Sequence, residues 1–152
     1  MKPRLTEEDE QSKDLQRLQV LQNDMIRLIN GKRRSQHTNM KELRAEMKMM
    51  SVNQMTVYHV LLETFNIKNH GSVESIRQKL TAPEAGPDER QTRSRTRGDL
   101  IPQTKPNGKC MRLSYIAPLI WNKLPEHIQK SKTSNQFKFL IKKWIWDGNI
   151  PS

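Results

Sequence analysis

A chain of 152 residues with 34% hydrophobic content has room for one domain and a thin core, because globular domains commonly carry about 45–50% apolar residues. Its mean hydropathy of −0.87 agrees with that thin core, and its net charge of +11 favours a polyphosphate partner, whose condensed counterions Lys and Arg displace. The one cysteine, Cys110, excludes an internal disulfide, the lack of a Cys-x-x-Cys pair excludes a zinc knuckle, and no stretch approaches the ~18 apolar residues of a membrane span.

The amino terminus carries no apolar run, so the expected setting is intracellular, in nucleus or cytoplasm, without secretion and without a membrane partner. Charge is unevenly spread. Residues 1–31 hold five Lys/Arg and six Asp/Glu, a net of −1, whereas the remainder holds 22 and ten, a net of +12.

Thr6 is placed to cap a first helix, with Glu7, Glu8, Asp9 and Glu10 at the positive end of its dipole. Leu15, Leu18, Leu21, Met25, Leu28 and Ile29 then recur at three- and four-residue steps, and Asn30-Gly31 supplies the stop. This predicts a long amphipathic helix. Lys32-Arg33-Arg34 comes next, and cations there suit a helix C-terminus as well as they suit a phosphate.

Asn39 with Glu42 reads as a capping box for a short helix carrying Leu43 and Met47, and Ser51 with Gln54 as a second box opening a short helix with Met55, Tyr58, Leu62 and Phe65. A further short helix is expected after Ser72, with Val73, Ile76 and Leu80 on one face; the eight methionines read as flexible core filler. Residues 1–80 thus form a first helical unit. From Thr81 to Asp99 the composition turns to Pro, Gly, Glu, Thr and Arg, a linker signature, in which Arg93, Arg95 and Arg97 alternate with hydroxyl residues that suit a nucleic-acid backbone.

Residues 100–152 are expected to form a second unit. Leu100-Ile101-Pro102 and Cys110–Tyr115 flank Lys105-Pro106-Asn107-Gly108, and Asn-Gly is a strong hairpin turn signal. Ile116–Trp121 resume helix until Pro125 stops it, leaving Trp121 and Leu124 as anchors of a corner. Thr133 with Gln136 boxes a last helix with Phe137, Leu140, Ile141, Trp144 and Ile145 on one side, Lys138, Lys142 and Lys143 largely on the other, and Gly148 at its end. The fold class read from the sequence is mainly α, as two small helical units joined by a polar linker and one short β-hairpin.

Chemistry-bearing motifs are missing from this pattern. There is no Asp-Asp pair, no Gly-rich phosphate loop and no Gly-x-Ser-x-Gly elbow, and His37, His59, His70 and His127 are not spaced as i, i+4 metal ligands. Neither an enzyme nor a cofactor or metal is expected.

Four segments, in order, carry a resemblance to a known family. They are Leu21-Gln22-Asn23 with Arg27–Gly31; Met50-Ser51-Val52 with Tyr58 and Leu61-Leu62; Thr92-Arg93-Ser94 with Leu100-Ile101-Pro102; and Ser114-Tyr115, Trp121-Asn122-Lys123-Leu124-Pro125, Ile128, Ser134, Phe137-Lys138 and Leu140. The set resembles the extreme C-terminal region of the reverse transcriptase polyprotein of non-LTR (LINE-type, jockey-like) retrotransposons, with Met50-Ser51 standing where that family usually has Leu-Pro. Trp121, Asn122, Leu124, Pro125 and Phe137 resemble that family's closing signature. The resemblance implies a noncatalytic tail of an RNA-directed DNA polymerase, lacking the endonuclease and the palm with its paired aspartates.

The expected role is therefore contact with RNA or single-stranded DNA backbone, nonspecific in sequence, through Lys32, Arg33, Arg34, Arg93, Arg95, Arg97, Lys138, Lys142 and Lys143 as phosphate donors. The alternatives are a structural module that docked on the polymerase core, or a decayed reading frame. The sequence leaves the oligomeric state open.

Overall fold

The computed structural model describes residues 7–70, Leu100 and residues 113–150. The first helix, α1 (Glu7–Ile29), ends as Asn30-Gly31 predicts: Gly31 adopts φ +63°, its N–H bonds the Leu28 carbonyl at 3.1 Å, and the Lys32 N–H bonds the Arg27 carbonyl at 2.8 Å. That pair of bonds satisfies two carbonyls the helix end would otherwise orphan. α2 (Met40–Glu46) opens on Asn39, whose side-chain oxygen accepts from Lys41 N and Glu42 N. It closes in the same way as α1, but with Lys48 at φ +53° in the position that favours glycine.

α3 (Val52–His70) starts in a reciprocal capping box, with Gln54 N donating to Ser51 Oγ at 3.2 Å and Ser51 N donating to Gln54 Oε1 at 3.0 Å. It is not the short helix expected, because no Gly or Pro interrupts it before Gly71. Two of its hydroxyls are satisfied within the helix: Thr56 and Thr64 donate to the carbonyls of Val52 and Val60.

α3 packs against both α4 (Leu113–Trp121) and α6 (Ser134–Trp144), with the short α5 (Glu126–Gln129) between them in the chain. One buried cluster results, drawing on both sides of the 81–99 segment. Val57, Leu61, Phe65 and Ile67 of α3 meet Ala117, Trp121, Leu124, Ile128, Phe137 and Ile141. Phe65 stacks on Phe137 at 4.3 Å between ring centroids, and Trp121 on Phe137 at 5.8 Å. The chain is mainly α: six α-helices, and no strand, among the described residues.

The expected hairpin is corrected at its end. Leu113, Ser114 and Tyr115 form the first turn of α4, not a strand, because Leu113, Ala117, Ile120 and Trp121 share the helical spacing that faces α3 and the core. The rest of the hairpin, like the Thr6 cap, the helix after Ser72 and the 81–99 linker, lies outside the described residues. The methionines differ from core filler too. Met25 is 64% exposed and Met55 38%, and Met50 is only partly buried against the core.

Candidate nucleic-acid interface

The corner at Trp121–Pro125 is scaffold. Trp121, Leu124 and Phe137 are fully buried, and Gln129 Nε2 seals their corner by donating to the carbonyls of Trp121 at 2.9 Å and Leu124 at 3.1 Å. Pro125, at φ −57° and ψ 143°, leaves the helical region and caps α5 without a side-chain hydrogen bond. Asn122 clamps the chain at Leu100 as one peptide group pairs with another: Leu100 N donates to its Oδ1 and its Nδ2 donates to Leu100 O, both at 2.9 Å. These residues hold the platform for α6.

α6 starts at Thr133, whose side chain accepts from Gln136 N while Gln136 Oε1 accepts from Lys132 N. With the start fixed, Phe137, Ile141 and Trp144 turn into the core. The opposite face carries Lys142 and Lys143, both exposed, and Lys138, half-buried. Between the lysines stands Phe139, 69% exposed. Lys142 also lies over the Tyr58 ring, with its Nζ 5.7 Å from the ring centroid.

Past Trp144 the helix widens into a π turn, Ile145–Asn149, where the Asn149 side chain donates to Trp144 O at 2.7 Å. Gly148, at φ +87°, ends it. Trp146 is 41% exposed, against a cavity of about 320 Å³ lined also by Lys41, Arg44, Met49, Gln54 and Asp147. Arg44 is 8% exposed; its Nη1 donates to the neutral Asn23 side chain at 2.9 Å, and burial lowers its pKa from the ordinary arginine value. Asp147 brings a carboxylate to the same wall, so the cavity is not purely cationic.

The other basic group sits elsewhere. Lys32 and Arg33 are exposed in the turn after α1, while Arg34 is already occupied, its Nε 2.9 Å from Asp24 Oδ1 and its Nη2 ion-paired to Oδ2. The Arg34 hydrogen bond holds the Asp24 carboxyl below its ordinary range, and Asp24 in turn raises Arg34. The structure thus brings Lys138, Lys142 and Lys143 together on α6 and leaves Lys32–Arg34 on a different element. Arg93, Arg95 and Arg97 lie outside the described residues.

Sequence reasoning missed Phe139, Trp146, Lys41 and Arg44 as site residues. For the two aromatics a signal existed: both fall off the apolar register of Phe137, Ile141 and Trp144, on the side that carries the lysines. Burial of Arg44 depends on how α2 packs beside α1, which local pattern does not carry. Compared with protein-family models, curated proteins and solved structures, the chain matches none.

Proposed function

We propose that this chain is a noncatalytic C-terminal segment of a non-LTR retrotransposon reverse transcriptase that holds single-stranded nucleic acid on the outer face of α6. The ordered set of four segments supports the family. The observation that carries the activity is the exposure of Phe139 and Trp146 among Lys138, Lys142 and Lys143. Single-strand binders combine cations that track the backbone with aromatic faces on which bases stack, and stacking tolerates any sequence because every base has a π face. Lys41, exposed beside Trp146, extends the track of phosphate donors, while Arg44 in the same cavity is buried and held by Asn23.

The test is a fluorescence titration of the full chain with an oligouridylate and an oligothymidylate at two salt concentrations. Trp146 is the exposed member of the three tryptophans, Trp121 and Trp144 being buried, so stacked bases quench it selectively. Each phosphate neutralised steepens the dependence of log K on log salt by about 0.7 for single strands, so the three lysines alone give a slope of about −2. Binding without salt dependence, or none at all, refutes this role and favours a module that docks on the polymerase core. Primer extension by the isolated chain with a divalent metal refutes the noncatalytic reading.

A further inference from the structure

The first helix is mounted with its amphipathicity reversed. The side it turns to the body is mostly polar: Gln19 Oε1 accepts from Val52 N at 2.9 Å, Gln22 Nε2 donates to Met50 O at 2.8 Å, and Asn23 Oδ1 takes the Arg44 guanidinium. Ile26 is the one α1 residue in the buried core among the described residues. Its apolar residues face away, with Leu18 52%, Leu21 60%, Met25 64%, Leu28 79% and Ile29 66% exposed. At about 100° per residue these five fall in an arc of about 100°, a continuous stripe and not scattered surface leucines.

We propose that this stripe pairs with the α1 stripe of a second copy of the chain, antiparallel, to form a homodimer. The steps from Leu18 to Leu21, Met25 and Leu28 are three, four and three residues, the spacing of a helix-pair seam. Polarity of charge selects a second copy and sets its direction. Residues 7–18 hold five carboxylates, Glu7, Glu8, Asp9, Glu10 and Asp14, against Lys13 and Arg17, a net of −3, while residues 19–34 hold Arg27, Lys32, Arg33 and Arg34 against Asp24, which Arg34 engages, a net of +3. A parallel pair would set like charge against like; an antiparallel pair sets each acidic end against a basic one.

The register closes on itself. With Leu18 opposite Leu28 and Leu21 opposite Met25, the same two-fold brings Asp14, one helical step beyond the apolar stripe, toward Lys32 in the turn that follows the other copy's α1. Lys32 is exposed, and Asp14 exchanges for it an ion pair to Arg17 at 3.1 Å that is itself open to solvent on both sides. A seam of four apolar layers is short, and the dimer is accordingly concentration-dependent. This inference is independent of the α6 surface, which lies on other residues.

Sedimentation equilibrium of the full chain over a wide concentration range tests it. The apparent mass should climb from 17.9 kDa toward twice that value. Met25→Asp should stay monomeric with unchanged helical circular dichroism, since the residue touches solvent and not the core. Asp14→Lys and Lys32→Asp should each weaken the dimer, and together restore it, which a parallel pair would not do. A wild-type chain that is monomeric throughout, as when the face is taken by the chain's own 71–99 segment or by another protein, overturns the proposal. So does a dimer that survives Met25→Asp.

Discussion

α1 and α6 are both amphipathic helices whose sequences show the same three- and four-residue apolar steps, yet the molecule uses them in opposite senses. α6 spends its apolar side on the core, with Phe137 and Ile141 at 0% exposure, and offers lysines to solvent. α1 rests on the body through amides and offers leucines. Hydrophobic periodicity therefore locates a helix and its stripe, but which surface the stripe meets is decided by what else is available to cover it.

The largest predicted effect comes from treating the two stripes alike. Phe137→Ala should cost about 3–5 kcal/mol, because it removes the ring on which Phe65 and Trp121 both stack and leaves a cavity. Leu28→Ala, at 79% exposure, should stay within about 0.5 kcal/mol in the monomer. Urea melts of both variants, at a concentration too low for association, check the pair. Equal losses would mean that α1 is covered within the monomer and that the contrast is wrong.

Next in size is the clamp that fixes the platform under α6. Asn122→Ala removes two hydrogen bonds to Leu100, a residue 3% exposed, and should cost about 1–3 kcal/mol for the backbone groups left unpaired. Phe139→Ala is the converse case. It should leave the melting temperature near that of the wild type and weaken oligonucleotide binding by about 1–3 kcal/mol if one base stacks there. The two helix ends offer a finer comparison: Gly31→Ala and Gly148→Ala should each cost about 1 kcal/mol for an alanine forced to positive φ, since no atom lies within 4 Å of either added Cβ.

Much of this was legible in the residues. The Asn39, Ser51 and Thr133 starts and the Gly31 stop arise from local hydrogen-bond chemistry, which a short window of sequence contains. The Cys110–Tyr115 strand failed at its described end because Asn-Gly signals a turn without specifying the element after it, and the helical spacing from Leu113 to Trp121 prevailed by burying a face on α3. Of the site, the lysines of α6 could be read and the exposed aromatics between them could have been. Arg34 could not: its engagement by Asp24, ten residues earlier, depends on how the turn after α1 folds back.

That last pair gives the smallest effect and the cleanest sign. Asp24 has its carboxyl pKa held below the ordinary 3.8, chiefly by the Arg34 hydrogen bond, so the folded state favours the ionised form more than the unfolded chain does. The stability this contributes is fully present above the unfolded value and is lost as pH falls through the lower, folded one. Arg34→Gln should therefore be slightly less stable than the wild type at neutral pH, with the gap closing below the ordinary carboxylate range and shrinking in high salt, because the Arg34 side chain is 73% exposed. Urea midpoints of the two proteins across pH and salt measure it. A gap that persists at low pH would show that Arg34 acts through packing. The same engagement predicts that Arg34→Gln changes oligonucleotide affinity less than Lys143→Gln does, which separates a cation already satisfied on α1 from one presented to solvent on α6.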